Sequence, residues 1–160
     1  MTNNQMLKFI ILAFTVNFFL TGCASVPPAS SAFERKALSF TPATGTASIY
    51  VYRPYNLLAG GSLFNISLDY KEFGNLETNT YLFGNIPPGS HVIRAEYADA
   101  NQSKPVKFEA EAGKLYFFKV TPGWGGINIE PERENEGRNE VINYSLSGDN
   151  VFEFENDSRN

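Results

Sequence analysis

Side chains that carry metal or nucleophilic chemistry are scarce in this 160-residue chain: it has one cysteine, Cys23, and one histidine, His91. With a single histidine a zinc cluster is excluded, and no metal or other cofactor is expected. No apolar run approaches the roughly 20 residues that a helical membrane span requires. Basic residues do not dominate either: 13 Lys+Arg face 17 Asp+Glu, a formal charge of −4. One of the 13 is Lys8, the charge is near neutral over residues 23–129, and residues 130–160 are strongly acidic. The basic face that a phosphate backbone needs is therefore missing, and nucleic acid is not an expected partner. Electrostatic attraction to anionic lipid is excluded on the same ground. Alternation of helix and strand signals is absent as well, which argues against a parallel α/β sheet.

What is present begins at the N-terminus. After Lys8 comes Phe9 to Leu20 (FIILAFTVNFFL), a 12-residue apolar run broken only by Thr15 and Asn17. It is too short to span and fits the hydrophobic region of a secretory signal. Leu20-Thr21-Gly22-Cys23 follows, an aliphatic residue and two small ones before the only cysteine. The pattern is that of a lipobox. Small residues let the backbone into a peptidase at the membrane surface, and a thiolate can take a diacylglyceryl group through a thioether. Residues 1–22 are therefore expected to be a cleaved lipoprotein signal peptide, with lipid, including an N-acyl chain such as palmitate, on Cys23. Several acyl chains make such an anchor stable. Ala24 after the cysteine fits sorting to the outer membrane, facing the periplasm.

Residues 24–46 are rich in Ala, Ser, Pro and Thr and read, with Cys23, as a lipidated tether over 23–46. Phe33, Leu38 and Phe40 are the side chains in it that would pack back onto a domain. From Ala47 the apolar period becomes two. Ala47, Ile49 and Val51 share a face opposite Tyr50 and Tyr52, and Phe64, Ile66 and Leu68 alternate with polar residues. Further strands are expected around Leu82-Phe83, over His91–Tyr97, Val106–Ala110 and Leu115–Val120, and from Ile127 to Ile129. Pro87-Pro88-Gly89 and Glu111-Ala112-Gly113 supply turns. About seven short strands, with turns every eight to twelve residues, predict an all-β fold, an antiparallel β-sandwich over 47–147. Glu130–Glu140 reads as a solvated acidic loop, Val141–Leu146 as a last strand or short helix, and 148–160 as an acidic tail.

Three segments together carry a family resemblance: Ala47-Ser48-Ile49-Tyr50-Val51-Tyr52-Arg53-Pro54, Ile66 through Leu76, and Thr80-Tyr81 running on to Ile86-Pro87-Pro88-Gly89-Ser90-His91. The chain resembles small bacterial lipoproteins with a β-rich domain of unknown function, itself similar to PEGA-type and transthyretin-like sandwich modules. The resemblance implies a Greek-key sandwich and an envelope address, and no catalytic residue. Tyr70 stands where such families place the glycine of an Asp-Gly turn. Tyrosine there argues against a tight two-residue hairpin, because positive φ strains a bulky residue.

His91 could serve acid–base chemistry only with a carboxylate or nucleophile beside it; on a strand, Ser90 points the other way. A packed, hydrogen-bonded histidine near the turn is the simpler expectation. Glu130, Glu132, Glu134 and Glu136 alternate but lack the framework of a calcium loop. Trp124, between Gly123 and Gly125-Gly126, is a candidate ligand or partner contact, or else folds back to cap the sandwich. Tyr50 and Tyr52 are candidates for an exposed aromatic strip, or else cover the second face of the sheet. The function expected is a non-enzymatic binding or structural module of the cell envelope, lipid-anchored to the membrane, with an envelope protein as partner. A small-ligand or glycan binder using the Trp124 loop is the alternative.

Overall fold

The structure is a computed structural model that describes residues 29–57, 60–97, 101–148 and 152–153. Cys23, the signal region 1–22 and most of the acidic tail lie outside the described residues. Two sheets face each other. Sheet one contains β1 (Ala47–Arg53), β4 (Thr80–Ile86), β8 (Leu115–Gly123), β9 (Gly126–Glu132) and the two-residue strands β10 (Ser145–Leu146) and β11 (Phe152–Glu153). Sheet two contains β2 (Phe64–Leu68), β3 (Lys71–Leu76), β5 (Gly89–Tyr97), β6 (Asn101–Gln102) and β7 (Val106–Ala110). The fold is the expected all-β sandwich. Every strand read from the sequence is present, and the further long one is β3.

The order of sheet one is β10-β4-β1-β8-β9, with β11 also on β4. All pairings described in sheet two are antiparallel, whereas in sheet one only β1–β4 and β8–β9 are: β1 pairs parallel with β8 (Tyr50 beside Phe117), and β10 and β11 pair parallel with β4. The parallel step arises because the chain leaves sheet one after β4, crosses over Pro87-Pro88, builds β5 to β7 in sheet two, and returns after Gly113.

Alternation sorts the side chains into two cores. Ala47, Ile49, Val51, Leu82, Phe118 and Val120 face Phe64, Ile66, Leu68, Ile93 and Ala95 of the opposite sheet. The outer face of sheet one holds the second core, Tyr50, Tyr52, Tyr81, Phe83 and Phe117. Two helices cover it, α1 (Ser31–Leu38) and α2 (Glu134–Val141), so every residue of β1 is buried. Fully burying an aromatic or aliphatic side chain contributes about 2 kcal/mol, which is reason enough for short helices to form over this surface.

These helices correct two expectations. The stretch read as tether contains a helix from Ser31: α1 lies on sheet one with Ala37 buried, and Phe33, Leu38 and Phe40 pack back on the rings beneath, as expected of those three side chains. The acidic stretch 130–140 is not a solvated loop but the end of β9 followed by α2. Glu134 and Arg138 pair at 2.7 Å along the helix, and Arg138 lies 4.6 Å over the Phe40 ring. Gly137 is buried, at a point where any Cβ would collide with the ring of Phe117.

The Tyr70 hairpin is a third correction. Leu68 pairs directly with Lys71, and both intervening residues have positive φ, 50° at Asp69 and 64° at Tyr70. The tight two-residue turn forms because other contacts hold it. Asp69 Oδ1 accepts the Val92 backbone N–H at 2.8 Å, Asp69 Oδ2 meets His91 at 2.6 Å, and the Arg94 guanidinium sits 4.9 Å over the Tyr70 ring.

Candidate functional site

The nearest arrangement to an acid–base site is His91 with Asp69. Nδ1 of the ring lies 2.6 Å from Asp69 Oδ2 and Nε2 lies 2.8 Å from the Pro87 carbonyl oxygen. His91 is 4 % exposed and Ser90, next to it, points to solvent. The ring thus links the β2–β3 hairpin to the start of β5, as the simpler expectation had it. Among the described residues no group of three or more His, Cys, Asp or Glu side chains could hold a metal ion.

Tyr50 and Tyr52 do not form a surface strip. Both are 0 % exposed, because α1 and α2 cover the outer face of sheet one. Tyr50 donates from its hydroxyl to the Ala37 carbonyl oxygen at 2.7 Å and stacks on Phe117 with ring centroids 4.7 Å apart. They therefore bind α1 and α2 to sheet one, and a contact between either residue and an external ligand is corrected to this structural role. The hydroxyls of Tyr52 and Tyr81, neighbours across β1 and β4, have no hydrogen-bond partner among the described residues. Burial pushes the Tyr50, Tyr52 and Tyr81 hydroxyls well above the ordinary tyrosine range.

Trp124 is the reverse case. It sits at the tip of the β8–β9 hairpin, where Gly123 pairs with Gly126, and it is fully exposed. It does not fold back over the end of the sandwich. Beside it, Gly125 lines an open cleft of about 620 Å3 shared with Gln102, Lys104, Val106, Ile127, Asn128, Ile129 and Glu130. The floor is apolar (Val106, Ile127, Ile129) and the rim offers donors and acceptors. The first turn of the hairpin approaches sheet two closely there, since a Cβ at Gly126 would meet the Gln102 carbonyl oxygen at 3.1 Å.

One feature of this end of the molecule was not read from the sequence. Arg53, at the end of β1, is buried and donates to the carbonyl oxygens of Ser62 at 2.5 Å and Leu76 at 3.3 Å, with its guanidinium 3.7 Å over the Phe64 ring. It ties the ends of the two sheets together. The β1–β2 connection that follows it carries the exposed side chains of Tyr55, Leu57 and Leu63. They precede a strand in an irregular segment, so no period marks them as a group.

Residues 43–131 match a family described as a protein of unknown function (DUF2846), and because the match covers more than half of the chain, the chain belongs to that family. The match spans β1 to β9, with Asp69, His91 and Trp124 inside it and both helices outside it. No curated protein matches the chain.

Proposed function

We propose that this member of the family is a lipid-anchored, non-enzymatic module of the cell envelope, held by acyl chains on Cys23 and facing the periplasm from the outer membrane. The observation that carries the reading is the lone cysteine placed directly after Leu20-Thr21-Gly22 and a 12-residue apolar run. The folded domain supports it. Ala29 already donates its backbone N–H to the Leu146 carbonyl oxygen at 3.1 Å, so only the five residues 24–28 separate the proposed lipid from the sandwich. That length suits an anchor and leaves little for an independent domain or a long flexible arm. Asp69 and His91 are engaged in holding a hairpin, which favours binding over catalysis as the mode of action.

Lipidation is tested by palmitate labelling of the full chain and its Cys23→Ser variant. The wild type is expected to incorporate label and fractionate with outer membrane, and the variant to remain unlabelled and unprocessed. Equal labelling of both would sink the anchor. The envelope protein partner is sought by in-cell cross-linking of the tagged protein, with the same variant as control.

A glycan or small-ligand reading is favoured by one observation, the fully exposed Trp124 beside a cleft rimmed by Gln102, Lys104, Asn128 and Glu130. A flat apolar ring next to hydrogen-bonding side chains suits a sugar face. Soluble peptidoglycan fragments are then expected to quench Trp124 fluorescence.

A further inference from the structure

Seven large apolar side chains are exposed among the described residues, and five of them gather at one end of the sandwich. The strand register fixes that end. Arg53 closes β1 opposite Thr80, where β4 begins, and β8 runs parallel to β1 and continues past it to the Trp124 tip. In sheet two, Phe64 lies under the Arg53 guanidinium, and β5 ends at Tyr97 beside the start of β2. Tyr55 (63 % exposed), Leu57 (83 %), Leu63 (43 %), Tyr97 (37 %) and Trp124 (104 %) all extend from these strand ends. Of the other two, Tyr70 caps the opposite end and Ile142 follows α2.

We propose that this end of the sandwich rests on the bilayer that holds the lipid of Cys23, with Trp124 and Leu57 in the membrane interface. The proposal rests on the anchor reading and adds the orientation of the domain. Residue type supports it: tryptophan and tyrosine concentrate at the level of the lipid headgroups, where an apolar ring and a polar tip are both accommodated. The near-neutral charge over residues 23–129 supports it too, because contact through apolar side chains needs no basic patch.

The length of chain before the domain agrees with this seating. Ala29 is bound to Leu146, whose row across the sheet runs through Tyr81 and Tyr52 to Lys119. Trp124 lies five residues beyond Lys119, about 17 Å at the rise of a strand. The six Cα-to-Cα steps from Cys23 to Ala29 reach about 20 Å when extended. A bilayer in contact with Trp124 is thus within range of the acylated cysteine. A second contact of this kind also strengthens an acyl anchor, since membrane attachment gains from two signals acting together.

Trp124 is the only tryptophan, so its fluorescence reports this end of the molecule alone. The full mature protein, with lipid on Cys23 verified by mass spectrometry of its N-terminal peptide, is reconstituted into phosphatidylethanolamine–phosphatidylglycerol vesicles. The expected result is a blue-shifted emission, quenching by brominated acyl chains, and a several-fold loss of quenching by aqueous acrylamide relative to unlipidated protein that begins at Ala24. Leu57→Glu, at an exposed position, is expected to restore much of the acrylamide access while the lipid on Cys23 remains. Lipidated protein whose Trp124 stays as accessible as in the unlipidated form overturns the orientation and leaves the anchor standing. Absence of lipid on Cys23 overturns both. Insensitivity to vesicles combined with quenching by soluble peptidoglycan fragments assigns Trp124 to a glycan and also overturns the orientation.

Discussion

Asp69 and His91 meet at 2.6 Å between carboxylate Oδ2 and ring Nδ1, and this contact sits directly beside a turn that its own sequence disfavours. Tyr70 adopts φ 64°, a left-handed conformation that costs a side chain with a Cβ roughly 1–2 kcal/mol. The second Asp69 oxygen accepts the Val92 N–H at 2.8 Å, and the Asp69 backbone N–H donates to the Val92 carbonyl oxygen at 2.8 Å. Together these bonds dock the hairpin onto β5 from both the main chain and the side chain. The strain is tolerated because the surrounding structure fixes the turn more firmly than its local preference opposes it.

Asp69→Ala is therefore expected to destabilise the domain by about 2–3 kcal/mol, the range for a lost hydrogen bond to a charged group together with a buried donor left unpaired. Urea denaturation of the two proteins measures it. Asp69→Asn retains acceptor capacity toward Val92 and is expected to fall between them. A loss below about 0.5 kcal/mol for the alanine variant would show that the turn holds without its carboxylate.

Gly137 reverses the usual helix rule. Alanine in a helix interior is ordinarily favoured over glycine by about 1 kcal/mol. Here the added methyl group would collide with the Phe117 ring, which is itself stacked on Tyr50. Gly137→Ala is expected to lower stability by about 1–3 kcal/mol, the cost of overpacking a filled core. A higher denaturation midpoint in the variant would mean that α2 does not pack on sheet one as described.

The strands were legible in the sequence because alternation is a local signal: Phe64-Asn65-Ile66-Ser67-Leu68 shows the same buried–half-buried pattern that its period predicts. The exception was β3, hidden because Tyr70 broke the glycine signature of its turn, while the groups that hold Asp69 and Tyr70 in place, His91, Val92 and Arg94, are distant in sequence. Both helices were missed for a related reason. SAFERKAL and ENEGRNEV are short and charged, and what makes them helical is the aromatic face of sheet one, built from β1, β4 and β8. That face also explains Tyr50 and Tyr52, whose alternation with Ile49 and Val51 indicates a second surface without saying whether water or a helix covers it. Trp124 was found from its glycine neighbours, but its exposure depends on where β8 and β9 stop pairing.

The buried tyrosines set an alkaline limit. In the unfolded chain tyrosine titrates near 10, whereas burial raises Tyr50, Tyr52 and Tyr81 in the folded protein. Below pH 10 both states hold these protons and stability is unaffected by them. Above it the unfolded chain releases protons that the folded chain retains, so stability falls as pH rises. The expected outcome is a denaturation midpoint that declines above pH 10, with part of the tyrosine absorbance change appearing only as the protein unfolds. Smooth ionisation of all tyrosines in the folded state would contradict a sealed second core.

Arg53 offers the sharpest separation of charge from shape. Its guanidinium reaches two carbonyl oxygens, on Ser62 and Leu76, while its flat face covers Phe64, and burial lowers its proton affinity. Lysine keeps the charge but cannot present the same fork or stack on the ring, and it holds its own hydration more tightly. Arg53→Lys is expected to cost about 2 kcal/mol by denaturant unfolding. Arg53→Met removes the charge, retains an apolar contact with Phe64, and leaves the two carbonyl oxygens without this donor. If lysine is tolerated and methionine is not, the positive charge itself holds the sheet ends together. If both fail equally, the planar fork is what matters.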